Sequence, residues 1–265
     1  MFVPLQSLSS PVDFSTKILI LPSISKGNVP QLACDLLVAS LNLHHVGYLD
    51  SKYLVPVVGG RERGEKGVST PIEVFSSNES TVAVVLQRSP VLKAYKEDFV
   101  RDITNWIKES NFRTLVVLAG MDTTSRTDSQ MQSPYYYYTP SSSPLPSEIS
   151  IHLDKLLPIY KAAPLPDYLQ SDKLKSGEEE DPTFVPFIPG GGLTRHMLSL
   201  TASSEWAIPT LAILQFVMEG DNRADAGMQV ALLNHLLGLQ LPSIKEPESW
   251  KQGLFGSAHD DSLFG

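Results

Sequence analysis

Cysteine is all but absent: Cys34 is the single one in 265 residues. No internal disulfide can form, and a reducing compartment suits such a chain. Nowhere is there a run of about 18 apolar residues that could cross a membrane as a helix. Met1-Phe2-Val3-Pro4 carries neither the basic stretch nor the apolar core of a secretory signal. The expected location is therefore the cytosol, with the nucleus open to it. Positive charge is also scarce. Lys and Arg number 21 against 29 Asp and Glu, for a net charge of −8 and a pI near 5.2. A nucleic-acid binder would need a basic face to displace counterions from phosphates. An acidic surface suits a basic partner instead.

Several chemical signatures are missing as well. No lysine-serine/threonine pair follows the glycine triplet 190–192, so there is no Walker loop, and the spacing is not the dinucleotide fingerprint. No Gly-x-Ser-x-Gly elbow occurs. The histidines at 44, 45, 152, 196, 235 and 259 have no second ligand at zinc spacing. Asp260-Asp261 lack an EF-hand loop and read as solvated acids.

What is present is a globular chain, 42% hydrophobic and long enough to bury a large core. The stretch from Lys17 to Val58 sets its character. Ile18-Leu19-Ile20-Leu21 is an apolar run, and Pro22 to Gly27 is a turn. Asn28 stands at an N-cap position, where its side chain can accept an orphan N–H, and Pro30 falls in the first turn. Val29, Leu32, Ala33, Leu36, Leu37 and Leu41 recur at three- and four-residue steps, with Gln31, Asp35 and Asn42 opposite. That is an amphipathic helix, closed by His44-His45. Tyr53 to Val58 is a second apolar run, expected to be the next strand.

A charged, glycine-rich loop covers 59–71, and Ile72–Phe75 with Thr81–Leu86 reads as a hairpin. Glu97-Asp98 open a helix whose buried stripe is Phe99, Val100, Ile103, Trp106 and Ile107. Leu115 to Gly120 is a continuous apolar run, the mark of a strand covered on both faces. Between about 122 and 182 the pattern lapses into an irregular excursion, part of it expected to be disordered. It holds four tyrosines at 135–138, read as a loop or edge-strand packing patch rather than a stacking site, and a short helix from Ser147 to Leu157. Regular structure returns with Phe184 to Ile188, a helix from Leu193 to Leu200, and a buried strand over Leu211 to Val217. A last helix runs from about Asn222 to Leu239, with Met228, Leu232, Leu236 and Leu239 as its core stripe. The fold class is α/β: a single-domain, three-layer α/β/α sandwich around a largely parallel or mixed sheet. The domain is expected over 1–243, followed by an extended C-terminal tail, 244–265, with only local contacts.

Three sites invite chemistry. The Pro189-Gly190-Gly191-Gly192 turn precedes a helix and could present N–H groups to phosphate. The plainer reading is a tight turn needing positive φ, with Gly191 the position that a valine would damage. His196 lies nearby as a helix-surface residue or a base, and Cys34 reads as a small buried hydrophobe. Last, Leu263-Phe264-Gly265 is an apolar residue, an aromatic and a carboxylate. It is either a frayed end or a docking element.

Three separated segments resemble the proteasome assembly chaperone family. They are Gly27-Asn28-Val29 onward to Gly59, Ile188-Pro189-Gly190-Gly191-Gly192-Leu193-Thr194, and Phe216-Val217-Met218-Glu219-Gly220-Asp221-Asn222 with Asp225-Ala226. The resemblance implies a non-enzymatic chaperone that needs no cofactor. It would form a heterodimer with proteasome assembly chaperone 1, promote α-ring assembly of the proteasome core particle and prevent off-pathway association. It also implies a C-terminal hydrophobic–tyrosine–any signature that docks between α-subunits, where a lysine meets the carboxylate. Here Leu263, Phe264 and Gly265 stand in those places, with phenylalanine where tyrosine is expected. The rival reading is a nucleoside- or phosphate-processing α/β enzyme that uses the glycine turn.

Overall fold

Thr114–Asp122, nine residues long, is the spine of the sheet. The computed structural model describes residues 1–6, 12–62, 66–140, 144–162 and 185–252. In chain order the strands are β1 (Phe2–Pro4), β2 (Ile18–Pro22), β3 (His44–Leu49), β4 (Gly59–Gly60), β5 (Val68–Ser69), β6 (Ile72–Ser76), β7 (Val82–Gln87), β8 (Thr114–Asp122), β9 (Tyr135–Tyr138) and β10 (Thr210–Val217). The α-helices are α1 (Val29–Ser40), α2 (Lys96–Glu109), α3 (Ser147–Leu156), α4 (Gly192–Thr201) and α5 (Arg223–Leu237). Eight strands form one sheet in the order β1-β3-β6-β7-β2-β8-β10-β9, while β4 and β5 pair separately.

The four central strands, β7, β2, β8 and β10, are parallel. β1, β3, β6 and β7 each pair antiparallel with the next on one side, and β9 closes the other edge antiparallel to β10. Side chains alternate between two cores. Leu115, Val117 and Ala119 face the layer of α2 and α4; Val116 and Leu118 face the layer of α1, α3 and α5. Both faces are therefore apolar, which is why these strands read as unbroken hydrophobic runs. The result is a three-layer α/β/α sandwich, with α2 against α4 and α1 and α3 against α5.

Several expectations hold in detail. The hairpin is β6–β7, the α2 stripe from Phe99 to Ile107 is buried, and the tyrosines form edge strand β9. Others do not. The strand after α1 is His44–Leu49, not Tyr53–Val58, where only Leu54 pairs, with Val91. Asn42 at φ +50° turns the chain straight out of the helix, so His44-His45 open a strand instead of ending a helix. Gly47 lets the β1 edge approach: a Cβ there would lie 2.5 Å from the Phe2 ring. Val185 to Ile188 carries no strand, and Phe184 lies outside the described residues.

The two outer helices also depart from their sequence patterns. Asp35 does not face solvent. It is 7% exposed and accepts a bidentate pair from Arg88, with Nη1 to Oδ2 at 2.8 Å and Nη2 to Oδ1 at 2.7 Å. On α5 the buried residues are Ala226, Gln229, Val230, Leu233 and Leu236, while Met228 is 52% exposed. The stripe is rotated because α1 and α3 both lean on this helix. The segment after Leu241 makes more than local contacts. Lys245 N donates to Ser40 Oγ at 2.8 Å, Ser249 N donates to Glu62 Oε2 at 3.1 Å, and Trp250 is 6% exposed in the α1-side core.

Burial pushes the Asp35 carboxyl above its ordinary value while Arg88 pulls it back. Arg88→Met strands that carboxyl in the core and is expected to cost about 3 kcal/mol. Adding Asp35→Leu should recover most of the loss. Urea denaturation of the three proteins reads both numbers.

Candidate functional site

Ligands of open α/β sheets bind outside the carboxyl ends of the strands, where the connections diverge. Here that point lies between β2 and β8. From β2 the chain leaves through α1 toward β3, and from β8 it proceeds toward β10 on the opposite side. The crevice is filled by protein. Ser25 Oγ accepts the Gly120 N–H at 2.8 Å, and Lys26 Nζ bonds Asp122 Oδ2 at 2.9 Å across the gap. A Cβ on Gly120 would sit 2.7 Å from the Lys26 carbonyl and 3.1 Å from Ser25 Oγ. Gly27, at φ +71°, then turns the chain into α1.

The neighbouring loops are tied to the same place. Asn222 Nδ2, buried, donates to Gly27 O at 2.8 Å and to Met218 O at 2.9 Å, fixing the exit of β10. Thr194 Oγ1 on α4 donates to Ser23 Oγ at 2.8 Å, with both residues buried. The three segments singled out in the sequence therefore meet at one edge, which their separation of up to 195 residues conceals. Ser25 and Asp122 complete the junction. They belong to no sequence motif, and only their place at the strand ends marks them.

The charges here are set by pairing. Lys26 and the Thr124 N–H and hydroxyl hold the Asp122 carboxyl down at about 2, and Asp122 in turn raises the Lys26 amine. Asn28 does not cap α1 with its side chain; it adopts φ +53° instead. In the glycine turn the positive φ belongs to Gly190, at +73°, and not to Gly191, whose φ is −92°. Gly191 is constrained differently, since a Cβ would lie 2.5 Å from Ile188 Cγ2.

A groove of about 700 Å³ lies elsewhere, beside α1 and under Trp250. Its acids are already engaged. Asp35 holds Arg88, and Glu73 Oε1 accepts from Arg61 Nη2 at 2.9 Å and from Thr70 N and Oγ1 at 3.0 and 3.1 Å. His45 Nε2 lies 3.0 Å from Gly47 O and 3.9 Å from Glu73. Cys34 is fully buried, and burial pushes its thiol well up, toward the unreactive form. His196 is half-buried on α4, and the exposed rings of His152 and His235 meet edge to face at 5.4 Å. No group of three metal-ligating side chains occurs among the described residues. His259, Asp260, Asp261, Leu263, Phe264 and Gly265 lie outside them.

An eight-stranded mixed sheet between two helix layers, with the loops packed against each other at its carboxyl edge, defines the fold class as α/β. The chain belongs to the PAC2 family, whose model matches residues 19–245. Its sequence is 35% identical over 250 residues to proteasome assembly chaperone 2 of Nematostella vectensis, covering 89% of this chain and 96% of that one. It is 31% identical over 282 residues to proteasome assembly chaperone 2 of Homo sapiens, covering all of both. The fold is similar to that of Pyrococcus furiosus PbaA, an archaeal homolog of proteasome-assembly chaperone. The TM-score is 0.60 at 18% identity, over 89% of this chain and 82% of that one.

Two outcomes follow at the edge. Gly120→Ala is expected to destabilise by about 2 kcal/mol, because the opposing atom is backbone and cannot rotate away; thermal unfolding measures it. Asp122 should titrate near 2 by carboxyl NMR, against about 3.9 for a free aspartate. Its folded value lies below the unfolded one, so its stabilising effect is present above the unfolded value and fades as pH falls through 2. Lys26→Met should move the midpoint upward.

Proposed function

We propose that this protein is a proteasome assembly chaperone that works as one half of a heterodimer with proteasome assembly chaperone 1. In this reading the pair binds α-subunits, promotes α-ring assembly of the core particle and blocks off-pathway association. The observation that carries it is the end-to-end match to chains named proteasome assembly chaperone 2. A chaperone of this kind acts by binding alone: it holds subunits in register and raises their effective concentration. The filled crevice at Lys26 and Asp122 supports a non-enzymatic reading, since a nucleoside- or phosphate-processing enzyme would need that space.

Leu263, Phe264 and Gly265 are proposed as the docking element. Leu263 and Phe264 bury apolar surface between α-subunits, and the Gly265 carboxylate pairs with a lysine in a charge-assisted contact. The test is capture of recombinant α-subunits by the co-expressed heterodimer, alongside circular dichroism. Removing Leu263 to Gly265 should weaken capture at least about tenfold without touching the fold or the partner chaperone. Phe264→Ala should do most of that damage, since burying an aromatic is worth about 1.5–3 kcal/mol and 1.4 kcal/mol is about tenfold. Phe264→Tyr should be tolerated or bind tighter. Equal capture by the truncated chain would move binding to the globular face.

A further inference from the structure

The segment Leu241–Gln252 is anchored at three places to elements distant in sequence. The Lys245 N–H ends on Ser40 Oγ at the last turn of α1. Ser249 donates to Glu62, through its N–H to Oε2 at 3.1 Å and through its hydroxyl to Oε1. Trp250, 6% exposed, belongs to the α1-side core and walls the groove with Val38, Ala39 and Leu43. Pro247 is buried beside it, and Glu248–Gln252 closes into a short 3-10 turn. The helix beneath is suited to being covered. Not one residue of α1 is exposed, although it lies in an outer layer of the sandwich. Its single acid, Asp35, is already paired.

We propose that Leu241–Gln252 is a tether, with Trp250 its positioning residue, that fixes the place on the folded body, beside α1, at which residues 253–265 begin. The inference rests on the tail reading above. Thirteen residues follow Gln252, and at about 3.3 Å each they reach at most roughly 43 Å. If the tether were loose, twenty-four residues would follow Leu241. For a body that also touches the α-ring, docking of the tail is an intramolecular step. Its effective concentration falls roughly as the −3/2 power of linker length. The tether therefore strengthens tail docking by roughly two- to threefold, and it does so without touching the ring.

Two readouts test this on the full-length heterodimer. The first is native tryptic cleavage after Lys245 and Lys251, which reports release of the segment from the body. The second is the dissociation constant for recombinant α-subunits. Trp250→Ala should speed cleavage about tenfold and weaken binding roughly two- to threefold, while Trp250→Phe keeps wild-type values of both. The double variant Ser40→Ala/Glu62→Ala, which leaves the core side chain in place, should shift both in the same direction by less. Cleavage unchanged in Trp250→Ala overturns the anchoring. Faster cleavage with unchanged affinity overturns the tether while the tail reading stands. No loss of affinity on removing Leu263 to Gly265 overturns the tail reading, and the tether's role falls with it.

Discussion

One close approach governs the carboxyl edge of the sheet: the loop leaving β2 lies against the backbone of β8 at Gly120. The Lys26 carbonyl occupies space that any side chain at 120 would need. Because the loop can lie there, Ser25 reaches the Gly120 N–H and Lys26 reaches Asp122. Gly27 then takes a left-handed conformation that sends the chain back over the sheet as α1. Its carbonyl is left facing β10, where Asn222 meets it and so sets the start of α5. Two strand exits and the packed pair α1 and α5 thus inherit their positions from one missing Cβ. Ser23, two residues upstream, carries the same constraint to α4 through Thr194.

What the sequence exposed was whatever depends on neighbours in the chain. The apolar runs Ile18–Leu21 and Leu115–Gly120, and Leu211–Val217 with its single polar residue Gln215, became central strands because a strand buried on both faces has almost no polar side to show. The α2 stripe was equally plain, since charged residues fill its other face. Asp35 misled because its partner, Arg88, is 53 residues away. A carboxylate at helical spacing reads as a solvent face until something covers it. Met228 misled for a related reason. α5 is apolar nearly all round, so periodicity could not say which stripe α1 and α3 would choose. His44–Leu49 was hidden because His44-His45 read as the end of the helix and Tyr53–Val58 as the next strand. Gly47 is there for the Phe2 ring, a contact made by the strand at the start of the chain.

The candidate site was legible in pieces but not as a site. Gly27, Thr194 and Asn222 stood in segments already singled out, yet nothing in their spacing says that they meet. Hydrogen bonds between single polar residues leave no periodic trace. The glycine turn shows the limit of composition more sharply. Three consecutive glycines announce an unusual backbone, but not which of them is left-handed and which is crowded. Gly190 has the first role and Gly191 the second.

The direction of each charge shift follows from what the group is paired with or buried among. A general acid or base works best when poised near the operating pH, and active sites displace their groups toward it. Here pairing drives Asp122 down to about 2, while burial, with Asp154 beside Tyr137, drives Tyr137 and Tyr160 up to about 12. Burial lowers the Lys17 amine, but that amine is held by the carbonyls of Ser77 and Ser80 and clamps the β6–β7 turn. Asp35 is raised, but its two oxygens are taken by one guanidinium. These charged groups are engaged in holding loops to the sheet. A framework that uses its ion pairs in this way keeps its strand ends and helix starts in fixed relation. For the chaperone proposed above, a group already held in place would make each contact with a partner at a lower ordering cost.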